Sequence, residues 1–146
     1  MKKIILAVML FGIAVSASAA DFSVAGVRDM DTTKGGVRVS ASLGEVFNFS
    51  PTVSATSIDG AYVRYAAGTD FKVANVGPVA LSVVGTGVYQ NSSVGASGFG
   101  VTAGAKGVLP VTKTVSVVGG VEHFYGQRAV SSSNGNVVSL GLNLKF

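Results

Sequence analysis

The chain has 146 residues, room for one domain, with a formal net charge of +4, 12% charged residues, 20 glycines and no cysteine. The missing cysteines exclude a disulfide framework and a Cys-based metal site. Although 48% of residues are hydrophobic, nothing reaches the run of about 18 apolar residues that a membrane helix needs.

From the N-terminus, residues 1–19 read as a secretory signal. Lys2 and Lys3 form its positive end, Ile4 to Val15 its apolar centre, and Ala17-Ser18-Ala19 an A-x-A cleavage site. Cleavage after Ala19 leaves 20–146 as the mature domain, and Ala20 is the neighbouring alternative. An uncleaved anchor is disfavoured because the apolar stretch is too short to span a bilayer. Loss of Lys2 and Lys3 lowers the net charge by two. The remaining basic residues are scattered rather than clustered beside aromatics, so no nucleic-acid partner is expected.

Beyond the signal the dominant period is two, not 3.6. Strands are expected near Phe22–Asp29 and Val37–Leu43, joined by Met30–Gly36, with a weaker one near Thr52–Ile58 after the Asn48-Phe-Ser-Pro51 turn. Asp59-Gly60 is the signature of a tight hairpin. From Ala61 to Val73, Val63, Tyr65, Phe71 and Val73 alternate with Arg64, Asp70 and Lys72. Next, Val79, Leu81, Val83 and Tyr89 oppose Ser82, Thr86 and Gln90. Phe99, Val101, Ala103, Ala105 and Leu109 then oppose Thr102, Gly104 and Lys106. The run from Thr114 to Tyr125 alternates around Val115, Val117, Gly119, Val121, His123 and Tyr125. The chain closes on Val138, Leu140, Leu142, Leu144 and Phe146, with Ser139, Gly141, Asn143 and Lys145 between them. Short links at Asn75–Pro78 and Leu109–Lys113 alternate with longer polar ones at Asn91–Ser97 and Ser131–Asn136.

This makes about eight strands of ten or so residues, the length that crosses a bilayer when tilted. The second parity carries Gly, Ala, Ser and Thr with isolated charges of both signs: Arg38, Arg64, Asp70, Lys72, Lys106, Glu122 and Lys145. Such a face suits the lumen of a small closed barrel, which is just wide enough for side chains. Lone ions there need partners. The expected fold is all-β: an antiparallel up-and-down transmembrane β-barrel, lipid on one parity and lumen on the other. Tyr65, Phe71, Tyr89, Phe99 and Tyr125 fall near strand ends, where aromatic girdles sit, although tryptophan is absent.

The terminal stretch resembles the small outer-membrane β-barrel family that includes the OmpA transmembrane domain and OmpX, whose last strand alternates and ends on Phe. Leu140, Leu142, Leu144 and Phe146 match that pattern, and the Val108–Thr114 turn looks familial. The resemblance implies a bacterial outer-membrane location and a final strand read by the outer-membrane assembly machinery. The expected partners are outer-membrane lipid and lipopolysaccharide, the assembly machinery and periplasmic chaperones, with the chain monomeric. The resemblance extends over the mature chain at the level of class.

Chemistry is sparse. His123 is the single histidine. Barrel-type lipid A 3-O-deacylases place a Ser two positions after a catalytic His, but Tyr125 stands there, and the nearby acid, Glu122, has the opposite parity. No triad forms. Asp70 and Glu122 share the inward parity but sit amid Arg64, Lys72 and Lys106, which makes an ion-pair network the expected role. One histidine and no cysteine do not make a metal site. No enzymatic activity, metal or other cofactor is expected. A structural or surface-interaction barrel with a filled lumen is the leading expectation. A porin-like narrow pore for ions or small solutes is the alternative, and a lipid A-modifying hydrolase comes third.

Overall fold

The computed structural model describes residues 21–93, 95–127 and 134–146. The signal expected over 1–19, with Ala17 and Ala19 at its cleavage site, lies outside the described residues.

Eight strands follow one another: β1 (Asp21–Asp29), β2 (Gly35–Ser42), β3 (Phe49–Ile58), β4 (Tyr62–Val76), β5 (Val79–Ser92), β6 (Gly98–Pro110), β7 (Val115–Gly126) and β8 (Gly135–Lys145). Each pairs antiparallel with the next, and β8 returns to β1, with Phe22 opposite Leu144 and Asp29 opposite Val137. The sheet is therefore a closed up-and-down barrel. Closure removes the edge strands that would otherwise expose unpaired backbone groups.

With eight strands, Asp21 and Phe146 lie at one end, together with the β2–β3, β4–β5 and β6–β7 turns. The other four links lie at the opposite, loop end. The Asp59-Gly60 signature makes the compact β3–β4 turn there: Gly60 takes φ +62°, and the Ala61 N–H donates to the Ile58 carbonyl at 3.2 Å. At the terminal end the β2–β3 link closes on Val46 and Phe49, whose backbone groups bond each other at 2.7 and 2.9 Å. Between them Phe47 (φ 51°) and Asn48 (φ 66°) are both left-handed. That is the primed turn matching strand twist; asparagine tolerates the conformation, but a bulky residue such as Phe47 there costs on the order of 1–2 kcal/mol.

Strand lengths depart from the uniform expectation. β1 to β3 span 8 to 10 residues, whereas β4 has 15 and β5 has 14. The β4–β5 hairpin extends past the Phe49–Phe71 pair at the terminal end, and a bulge lets Val73 drop out of register between Lys72 and Ala74. A bulge reverses which parity faces outward, so simple alternation ends at Val73 while the strand itself continues to Val76. β3 starts at Phe49 instead of Thr52. Its Pro51 sits just beyond the last β2–β3 pair, Ser42 with Thr52, so its missing N–H falls at the ladder's end. The alternation blurs along β3 because its lumen side ends in Ile58 while its outer positions include Pro51, Ala55 and Ser57.

The outer surface is apolar at mid-strand, where Val24, Val83, Val101, Val121, Leu140 and Leu142 are exposed. Close to strand ends, Tyr89 packs tilted against Phe99 with ring centroids 5.0 Å apart, and Phe49 against Phe71 at 4.7 Å. The buried core is inside the barrel, at its loop end: Val27, Ile58, Ala61, Tyr62 and Val137 form one cluster, and Val88 with Phe124 another. Curving so few strands into a closed ring brings adjacent backbones close on the concave side. At Gly104 an added Cβ would run into the Val121 carbonyl and the Cα of Glu122, 2.7 Å away, so only glycine lets β6 approach β7.

Candidate functional site: the barrel lumen

The lumen has three levels. At the loop end it is plugged. Phe124 and Gln90 are completely buried (0% exposed), and Tyr62 and Arg64 nearly so. The Arg64 guanidinium carbon lies 4.0 Å from the ring centroid of Tyr62 and 3.8 Å from that of Phe124. Its Nε donates to Gln90 Oε1 at 2.8 Å, across the β4–β5 pair that places these residues opposite each other. Tyr62 Oη donates to Asp29 Oδ2 at 2.8 Å, while Asp29 Oδ1 accepts the N–H groups of Asp31 and Thr32, both at 3.0 Å. One connected set of contacts thus ties β1, β4, β5 and β7 together. A guanidinium between two ring faces keeps its charge stabilised where water is excluded.

Below the plug, Arg38 Nη1 meets Glu122 Oε1 at 2.6 Å, both side chains 16% exposed, and Arg38 Nε donates to Thr56 Oγ1 at 2.9 Å. Lys106 pairs with Asp70, and the Thr86 and Thr102 hydroxyls bond each other. Ser23 and Ser40 hydroxyls do likewise at 2.7 Å. A cavity of about 80 Å³ lies among these groups, space for only a few water-sized molecules. Toward the terminal end the lumen widens into a vestibule of about 450 Å³ lined by Asp21, Glu45, Lys72, Lys113 and Lys145 among others.

Of the charged residues singled out in the sequence, the structure brings Arg38 to Glu122 and Lys106 to Asp70. It sets Arg64 between two rings, and leaves Lys72 and Lys145 on the vestibule wall. Sequence reasoning missed the plug. Tyr62, Val88 and Phe124 are apolar residues on the polar parity, and that exception to the alternation was the available signal.

His123 faces outward near the rim. Its Nδ1 is 2.9 Å from Asn136 Oδ1, and its ring lies 4.3 Å from that of Tyr125. Glu122 points the other way, into the lumen with Arg38. Among the described residues no group of three or more His, Cys, Asp or Glu residues is placed to hold a metal ion. Leu140, Leu142 and Leu144 face outward on β8, and Phe146 stands beyond the last pair, 80% exposed.

No protein-family model and no curated protein sequence matches the chain. Solved structures do match its fold. A de novo designed transmembrane β-barrel superposes with a TM-score of 0.60 at 16% identity, over 88% of this chain and 98% of that one. The Yersinia pestis outer membrane protein Ail, solved in a phospholipid bilayer nanodisc, gives 0.58 at 13% identity, over 88% and 99%. Neisserial surface protein A gives 0.58 at 16% identity, over 86% and 94%. The shared feature is the fold, an eight-stranded barrel of the transmembrane kind.

Proposed function

We propose that the chain is an integral protein of a bacterial outer membrane, with a structural or surface-interaction role and a lumen filled by its own side chains. The observation that carries this reading is the inverted distribution of residues. The mid-strand outer surface is Val and Leu, while ion pairs, hydroxyls and buried aromatics fill the interior. A soluble barrel would waste that apolar surface on water, at about 25 cal/mol per Å². Lipid removes the cost, and closure meets its demand for satisfied backbone groups. The resemblance to OmpA- and OmpX-like barrels supports the same assignment, with export through a cleaved signal.

On this reading, partners are outer-membrane lipid and lipopolysaccharide around the barrel, and periplasmic chaperones and the assembly machinery on the way in. A closed sheet has no edge to share, which favours a monomer. The plug of Phe124, Tyr62 and Arg64 speaks for a non-conducting lumen, and the pairing of Glu122 away from His123 speaks for a protein without hydrolase activity. The narrow-pore alternative draws on the 450 Å³ vestibule, which ends at the level of the Lys106–Asp70 pair, with the plug beyond it.

Outer-membrane fractionation and a heat-dependent shift in gel migration test the assignment. Recovery as a salt-extractable periplasmic protein would overturn it. In planar bilayers the folded protein is expected to give no channel events, and reproducible single-channel steps would favour the pore. Deleting Phe146 is expected to reduce the amount of barrel in the membrane several-fold without blocking export, because the outward face of β8 ends there. Equal membrane levels for the two forms would remove Phe146 from the assembly signal.

A further inference from the structure

The β2–β3 turn combines strain with exposure in a way the barrel itself does not require. Phe47 is 91% exposed and holds φ 51°, in the region where a bulky side chain is disfavoured and glycine or asparagine is at ease. The turn is held firmly. Lys72 N–H donates to the Asn48 carbonyl and Leu43 N–H to that of Pro51, both at 2.9 Å. Glu45 lines the vestibule, whereas Leu43, Val46, Phe47 and Phe49 are all exposed. Phe49 in turn packs against Phe71 of the outer surface. The Phe49–Phe71 contact thus carries the apolar outer surface from β4 to the start of β3, and the exposed Val46 and Phe47 adjoin it in the turn.

The geometry points to this turn as a membrane-interface anchor. Phe47 inserts into the headgroup–acyl boundary of the leaflet at the terminal end of the barrel, with Glu45 turned to the aqueous lumen mouth. The occupant is the phospholipid interface and not a protein partner, because the patch is continuous with the face that meets acyl chains. An aromatic ring is well suited to that boundary. The inference rests on the membrane-spanning reading above.

The chain has no tryptophan, so single-tryptophan variants report position cleanly. Phe47→Trp and, as a reference on the mid-strand outer surface, Leu142→Trp would each be folded into phosphatidylcholine vesicles carrying bromine either near the headgroup or near the bilayer centre. Leu142→Trp is expected to be quenched most by deep bromine. Phe47→Trp should shift to shorter emission wavelength and be quenched most by shallow bromine. If Leu142→Trp is quenched while Phe47→Trp keeps the emission of tryptophan in water, the anchor is overturned and the membrane reading stands. If neither is quenched, the membrane reading itself fails. Phe47→Gly relieves the strained backbone, so it should unfold in micelles at a temperature no lower than the parent, yet fold into vesicles with several-fold lower yield. Equal vesicle yield would also overturn the anchoring role.

Discussion

Replacing Phe124 with alanine is expected to lower the unfolding free energy by about 3–5 kcal/mol, the range for deleting a fully buried phenylalanine. Its ring is completely buried and packs against Val88 and under the Arg64 guanidinium. Removing it takes away dispersion contacts and one of the two faces that flank a buried cation. The rim cannot collapse to fill the space, because the β6 and β7 backbones are already as close as Gly100 permits: an added Cβ there would lie 2.6 Å from the Tyr125 carbonyl oxygen. Denaturant unfolding in vesicles checks the value. Tyr125→Ala is the control, since that ring stands on the outer surface one residue away. A Phe124→Ala loss below about 1 kcal/mol would mean that the plug is loosely packed, unlike a protein core.

Glu122→Ala is expected to destabilise the barrel by about 2–3 kcal/mol. That is at or below the usual 3–5 kcal/mol for breaking a buried pair, because both side chains keep some exposure to the lumen cavity. The loss comes less from the attraction removed than from Arg38 left without its carboxylate in a confined space. It follows that Arg38→Ala in the Glu122→Ala background should cost less than Arg38→Ala alone. A double-mutant cycle in the same vesicles should give a coupling of roughly 1–3 kcal/mol. Strict additivity would show that the two groups do not depend on each other. Asp70→Ala should be non-additive with this cycle, since Lys106 of the second pair lines the same cavity as Arg38 and Glu122 and lies diagonally across β6–β7 from Glu122.

The architecture was legible in the chain for a simple reason. A sheet in a membrane meets lipid on one side and its own interior on the other, and side chains alternate between the two with a period of exactly two residues. Val83, Val101, Leu140 and Leu142 could thus be set outward, and Arg38, Glu122 and Asp70 inward, before any coordinate was known. The compact turn at Asp59-Gly60 was equally readable, from local chemistry. What misled the alternation was also local: the bulge at Val73 ended the apparent strand early, and the small outer residues of β3 blurred its start.

Partnership inside the barrel was a different matter. Parity states that Arg38 and Glu122 face the lumen but not that they meet, and they are 84 positions apart in the chain. Whether two inward side chains share a level depends on strand tilt and stagger summed around the ring, quantities set by every hydrogen-bonded pair at once. The same holds for the plug. Tyr62, Phe124 and Val88 look like lapses in a polar face, and only closure of the sheet brings them together around Arg64. Sequence by itself determined that this chain closes into a barrel of about eight strands and, β3 apart, which side of each strand faces outward, because that choice is repeated locally along the strands. Tertiary structure alone decided which charges neutralise each other, where the lumen is sealed and where it widens, because those are properties of the closed ring and of no single strand.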